Sequence, residues 1–215
     1  MYEPLVSGGT VRKVWDGETE LYRQHLLRLD AESRRNRFGG AVSDEYIRRY
    51  ADPSALHDAV ICGFFVDGVL RGAAELRLLE HPGEAEAALS IERGWQSRGV
   101  GSALFERVLL VARNRQIERL HVLCLAENWR MQQLARKFHA QLSFQSGGAI
   151  GKLKAARPTP ISIMRELAAD SSDLAAAILD IPAHLAERFE HANDAAECRA
   201  RDARYERLML VDNWR

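Results

Sequence analysis

The stretch EAEAALSIERGWQSRGVGSALFERV, Glu84–Val108, decides the architecture. Its first eight residues alternate: Glu84, Glu86, Ala88 and Ser90 share one face, and Ala85, Ala87, Leu89 and Ile91 the other, the period of a strand. From Val100 the period changes, with Val100, Leu104, Val108, Val111 and Ala112 recurring at helical spacing. Between the two lies Gln96-Ser97-Arg98-Gly99-Val100-Gly101-Ser102-Ala103. Gly99 and Gly101 let the backbone bend tightly, so that successive N–H groups face outward at a helix N-terminus and hold an anion, above all a phosphate or pyrophosphate. Two common phosphate sites do not fit. Leu104 stands where a G-x-G-x-x-G dinucleotide fingerprint needs its third glycine, and no Lys-Ser/Thr of a P-loop follows.

Upstream, Thr10–Trp15 reads as a strand and residues 18–29 as a helix with Leu21, His25, Leu26 and Leu29 on one face. Asp30 and Ser33 open an Arg-rich helix, AESRRNRF, that Gly39-Gly40 ends. Ser43 is the expected N-cap of a third helix, DEYIRRYAD. Two strands, AVICGFFV and VLRGAAELRLL, flank Asp67-Gly68, a strong hairpin signal. A second turn at His81-Pro82-Gly83 leads into the alternating strand. Downstream, the apolar run LHVLCL suits a buried, parallel-type strand. Asn128 then opens a helix with Met131, Leu134, Ala135 and Phe138 inside, and strands near 142–144 and 149–153 follow, separated by Gly147-Gly148. The order predicts a mixed α/β fold with an antiparallel half and a parallel crossover half.

Composition narrows the function classes. The chain has 215 residues, 47% hydrophobic, with 30 Lys+Arg against 30 Asp+Glu. That charge balance argues against a polyanion-coating protein, because affinity for nucleic acid is built from excess cations. Cys62, Cys124 and Cys198 are odd in number and widely spaced, and no Cys/His cluster has metal-ligand spacing. No apolar run approaches the roughly 20 residues that span a bilayer, and the N-terminal stretch lacks the cationic flank of a signal peptide. The expectation is a cytoplasmic protein without metal, membrane or nucleic-acid partners.

In context, Gln96-x-x-Gly99-x-Gly101 resembles the Q/R-x-x-G-x-G/A signature of the GNAT superfamily of acyl-CoA-dependent N-acyltransferases. The preceding strand is similar to that family's fourth strand, and LHVLCLAENWRMQQLARKF to its fifth strand and following helix. The resemblance covers roughly residues 8–165. It implies a twisted mixed sheet of six to seven strands flanked by helices, in a domain of residues 1–167, with a helical extension over 168–215. It implies acetyl-CoA as co-substrate: backbone of Gln96, Ser97, Arg98, Gly99, Val100, Gly101 and Ser102 at the pyrophosphate, backbone of Leu89, Ser90 and Ile91 along the pantetheine arm, and Asn128 near the cofactor.

The reaction so implied is direct attack of a primary amine, on a protein or a small molecule, through a tetrahedral intermediate. A lysine-like amine has a pKa near about 10.4, so a base must take its proton. Glu86 falls where the family often carries a carboxylate, and Glu75 on the preceding strand is the second candidate. Each has a plainer reading as a strand-face carboxylate paired with Arg71 or Arg77. Glu92 reads as a surface residue.

The family's usual acid, a Tyr seven residues after the Asn, is Ala135 here. That leaves His139, Cys124 or water, and an alternative in which the domain binds acyl-CoA without turnover. His25, His57, His81, His121, His184 and His191 show no pairing that suggests a metal or nucleophile relay. The run Asp30–Phe38 resembles the acceptor-side segment of protein-lysine acetyltransferases, and its Arg34, Arg35 and Arg37 read either as attracting an acidic acceptor or, more plainly, as a solvated face paired with Asp30 and Glu32. The tail from Ser171 reads as helix with a kink at Pro182. Its apolar stripe Leu174, Ile178, Ile181, Leu185, Phe189 packs on its own domain or on a second copy of the chain.

Overall fold

The computed structural model describes residues 8–145 and 148–177. The chain divides into two units, Met1–Asp173 and Leu174–Arg215. Of the second, residues 174–177 are described and are helical. Cys198, His184, His191, Pro182, Gly147 and the stripe beyond Leu174 lie outside the described residues.

The first unit is built on one open sheet of order β1-β2-β3-β4-β5-β7-β6. β1 (Thr10–Val14), β2 (Ala59–Val66), β3 (Val69–Leu78) and β4 (Glu84–Ile91) form an antiparallel meander. The hairpin between β2 and β3 turns through left-handed Asp67 (φ 49°) and Gly68 (φ 75°), as the Asp-Gly signal predicts. β5 (Arg119–Leu125) runs parallel to β4 and antiparallel to β7 (Gly148–Lys154), which pairs with β6 (Gln141–Gln145). The mixed α/β expectation, with its single parallel crossover, holds.

Helices cover both faces. On one side α4 (Val100–Asn114) buries Val100, Leu104, Phe105, Val108, Val111 and Ala112 against Ala85, Ala87, Leu120 and Val122 of the sheet. α5 (Trp129–Lys137) adds Met131 and Leu134 to the edge of that core. On the other side lie α1 (Thr19–Arg28), α2 (Ala31–Phe38) and α3 (Asp44–Tyr50). There Tyr22, Leu26 and Ile47 pack on Ile61, Phe65, Leu70 and Ala73. Caps set the helix ends. Asp30 accepts from the N–H groups of Glu32 and Ser33, Ser43 from that of Tyr46, and Gly39 ends α2 in the left-handed region at φ 72°.

The Arg-rich face of α2 is paired, though not with Asp30 and Glu32. Arg34 reaches Asp44 at 2.7 Å, Arg35 reaches Glu127 at 2.5 Å and Arg37 reaches Glu75 at 2.7 Å. β5 also departs from its expectation of full burial: Leu123 is 51% exposed. The helical segment begins at residue 160 rather than 171. Over 160–173 it docks through Asn114 on Ser162 and Glu166, and through Arg107 on Asp170 and Asp173.

His139, just beyond α5, holds φ at 63°, a conformation that costs an L-residue about 1 kcal/mol. His139→Gly is expected to stabilise the domain by about that amount, read as a higher urea midpoint with an unchanged m-value.

Candidate active site

The site follows from one interruption in the sheet. β4 and β5 pair only at Glu84–Arg119, Ala85–Leu120 and Glu86–His121. β4 continues to Ile91 and β5 to Leu125, so beyond Glu86 the two strands part. Along that edge of β4, alternate residues direct N–H and C=O groups into the gap, while β3 satisfies the other edge from Gly72 to Leu78. This is where Leu89, Ser90 and Ile91 lie. The Ile91 carbonyl is already taken, accepting from the side-chain amide of Gln96 at 2.9 Å.

At the end of the gap stands the N-terminus of α4. The loop turns through left-handed Ser97 (φ 59°) and Gly99 (φ 85°). No side chain caps the helix, leaving the N–H groups of its first turn without intrahelical partners at the positive end of the helix dipole. Gly101 lies where β4, α4 and α5 meet: a Cβ there would reach Ile91 and Leu134 at 3.4 and 3.6 Å, ordinary van der Waals contact. Cations flank the loop from α5: Arg130 donates to the side-chain amide oxygen of Gln96, and Lys137 donates to the Ser102 hydroxyl at 2.8 Å. Gln96 also donates to Ser33 of α2 at 3.0 Å. Its amide thus ties the loop to β4, α2 and α5. Asn128 caps α5, accepting from the Met131 N–H at 3.1 Å.

On the side of the sheet covered by α1–α3, the parting strands open into a cleft of about 500 Å³. Its walls include Arg37, Phe38, Tyr46 and Tyr50 on one side and Leu123, Leu125 and Ile150 on the other, with Glu75, Arg77, Glu86 and Ala88 between them. Glu86 is half-buried, and among the described residues none donates a hydrogen bond to it. Burial holds its carboxyl above the usual carboxylate range, Arg37, Arg77 and His121 pulling it down and Glu75 pushing it up.

Glu75 is its opposite. It is 2% exposed and accepts from Tyr22 at 2.6 Å, Arg37 at 2.7 Å, Tyr50 at 2.8 Å and Arg77 at 2.9 Å. Burial pushes its carboxyl up, but the Arg37 guanidinium, the Tyr22 hydroxyl and Arg77 outweigh that and hold it below the ordinary range. Of the two sequence candidates for a base, only Glu86 presents a carboxylate not already engaged.

Glu92 is no surface residue. It is bound by Arg28 at 2.9 Å, Arg71 at 3.0 Å and the buried His25 at 3.3 Å, and these partners overcome burial to bring its carboxyl down to about 2. Arg71, the extra residue of a bulge opposite Phe64 and Phe65, pairs here rather than with Glu75. His25 also meets Ser90 at 2.9 Å, a serine–histidine–carboxylate chain that the sequence did not reveal. Ser90 and His25 are 6% and 0% exposed and none of the three lines the cleft, so the chain anchors α1 to β4. Of the acids considered, His139 is exposed beyond α5, whereas Cys124 lines the cleft with its thiol raised by burial. Ala135 is fully buried.

Arg37, Tyr46 and Tyr50 escaped the sequence reading as site residues. The i, i+4 spacing of the two tyrosines was the local signal, since the convergence of Tyr50 and Arg37 on Glu75 joins residues 25 and 38 apart.

A family model, the acetyltransferase (GNAT) family, matches residues 23–140, and the chain belongs to this family of acetyltransferases. Among solved structures, it is similar to the GNAT domain of S. lividans PAT, at 23% identity over 68% of this chain and 90% of that one (TM-score 0.58). The PaiA N-acetyltransferase from Thermoplasma acidophilum, in complex with coenzyme A, is 19% identical over 68% and 98% (0.54). YncA, a putative acetyltransferase from Salmonella typhimurium with its cofactor acetyl-CoA, is 17% identical over 71% and 97% (0.53). No curated protein matches in sequence.

The depressed carboxyl of Glu92 contributes stability that is present above the unfolded pKa, 4.5 in an unperturbed glutamate, and is lost as pH falls toward about 2. Glu92→Gln is therefore expected to lower the Tm at pH 7 and to narrow its difference from wild type as the pH is taken below 4, as measured by circular dichroism melts.

Proposed function

We propose that the protein transfers the acetyl group of acetyl-CoA to a primary amine, on a protein or a small molecule, with Glu86 as the general base. The observation that carries this reading is the unengaged Glu86 carboxylate, held in the cleft where β4 and β5 part. The gap and the uncapped first turn of α4 suit the co-substrate: an elongated, amide-bearing arm can take the place of the missing strand neighbour, and the α4 N–H groups with Arg130 and Lys137 suit its pyrophosphate.

The co-substrate supplies an acyl group already activated as a thioester. The chain's own task is to bring a neutral amine to it. An ammonium entering the cleft gives one proton to Glu86, and the freed nitrogen lone pair bonds to the acyl carbon as the carbonyl pair moves to oxygen; collapse of that tetrahedral species breaks the bond to sulfur, and the nitrogen sheds its second proton, which can pass to the thiolate. A carboxyl raised by burial is the better acceptor, since a base works best with its pKa nearer the operating pH. The departing thiolate needs a proton or solvation. The Cys124 thiol and the Tyr46 and Tyr50 hydroxyls line the cleft as candidate donors, and Ala135 supplies none.

Coenzyme A release from acetyl-CoA with a panel of amines tests the reading. Glu86→Gln is expected to lower kcat/KM by about 10²-fold or more while leaving the Tm at pH 7 unchanged or higher, because a half-buried charge is removed. Unchanged turnover would remove Glu86 as base; acetyl-CoA binding without product from any amine would favour the non-catalytic alternative. Gly99→Ala, which has room for a methyl group but must hold φ at 85°, is expected to reduce the Tm increase given by acetyl-CoA.

A further inference from the structure

Among the described residues, the two arginines near Glu86 are claimed by a different carboxylate. Arg77 is its direct cross-strand partner on β3, a position from which an opposite charge ordinarily pairs. Instead Arg77 turns its Nε and Nη2 to Glu75 Oε1, at 2.9 and 2.7 Å, and its Nη1 to the Ala55 carbonyl at 3.0 Å. Arg37, reaching in from α2, sets its Nη2 2.7 Å from Glu75 Oε2 and also donates to the Tyr50 and Tyr22 hydroxyls at 2.7 and 3.2 Å. On the other flank, His121 of β5 stands opposite Glu86 in register. Its Nε2 lies 2.8 Å from Glu84, which also binds Arg119 at 2.6 Å. From α3 the cleft receives only the phenols Tyr46 and Tyr50, the latter with its pKa raised by burial.

Arg77, with Nε, Nη1 and Nη2 all engaged, has few donors left for another carboxylate, whereas Arg37 is held to Glu75 through Nη2 alone, its Nε buried without a hydrogen bond among the described residues. We propose that Glu75 is a positioning residue for Glu86: it holds the guanidiniums of Arg37 and Arg77 away from the neighbouring carboxylate, which is thereby left unpaired and free to take a proton from the acceptor. Glu84 plays the same part, more weakly, toward His121. The proposal rests on the reading of Glu86 as the base. It gives the buried Glu75 hub a role beyond joining α1, α2 and α3 to β3, and it accounts for two arginines and a base occupying one cleft without neutralising one another.

The two roles separate in their pH dependence. With Glu75→Gln, the freed guanidiniums are expected to pair with Glu86, moving the acid limb of kcat/KM down by about one pH unit and lowering plateau turnover several-fold. Arg77→Gln should move the limb the opposite way, and Glu84→Gln should move it slightly down. The carboxyl ¹³C resonance of Glu86, titrated in each variant, reads the same shifts without reference to turnover. If Glu86→Gln retains full activity, the base assignment fails while the NMR titration still decides the role of Glu75.

A merely structural Glu75 would lower activity at every pH with the limb in place. A Glu86 midpoint that stays put in both Glu75→Gln and Arg77→Gln overturns the proposal. Should Glu75→Gln fail to fold, judged by near-ultraviolet circular dichroism, Arg77→Gln alone decides the matter, because its side chain is one-third exposed and its loss leaves Arg37 on Glu75.

Discussion

The parting of β4 from β5 after the Glu86–His121 pair is the constraint on which the rest of the molecule depends. A sheet that stays closed buries its backbone groups against one another and offers a ligand nothing. One that opens in its middle leaves a row of N–H and C=O groups to be satisfied from outside. Here the opening is held between two cores. The α4 side packs Ala85, Ala87, Leu120 and Val122, and the α1–α3 side packs against β2 and β3. Because β4 is fixed on its β3 edge along its whole length, the gap has one rigid wall, and the α4 N-terminus closes its far end.

Helices α1, α2 and α3 are joined to that wall by buried charge. Glu75 collects Tyr22, Arg37 and Tyr50 from three helices, and Glu92 collects His25 and Arg28 from α1 and Arg71 from β3. Burying a carboxylate costs several kcal/mol unless its oxygens are met by donors. Both hubs meet that condition with multiple, short contacts. Such clusters stabilise little compared with apolar packing, but they tolerate few alternative arrangements. They therefore fix where α1, α2 and α3 stand relative to the β3–β4 edge, and with them the aromatic wall formed by Phe38, Tyr46 and Tyr50. Glu86, in the midst of these charges, keeps its oxygens free, and that contrast with Glu75 gives the cleft its chemical asymmetry.

Much of this was legible in the sequence because its signals are local. The alternation of Glu84–Ile91, the Asp67-Gly68 turn, the caps Asp30, Ser43 and Asn128, and the glycines of the loop each act within a few residues, and each falls where the local reading places it. Long-range pairing was not legible. Glu92 looked exposed because its partners, Arg28, Arg71 and His25, come from α1 and β3. Arg34, Arg35 and Arg37 looked paired along their own helix, yet each found a partner in another element. His25 and Ser90, 65 residues apart, carried no shared motif.

The sequence by itself determined the element order, the parallel crossover and the glycine loop that opens α4 without a side-chain cap, since backbone propensity, side-chain period and turn chemistry act at short range. Only the tertiary structure decided that β5 leaves β4 after three pairs, that Glu75 is sealed while Glu86 is open, and that the arginines of the cleft are committed elsewhere. Those outcomes depend on which charges the packed sheet and helices bring within about 3 Å of one another, a distance that no spacing along the chain encodes.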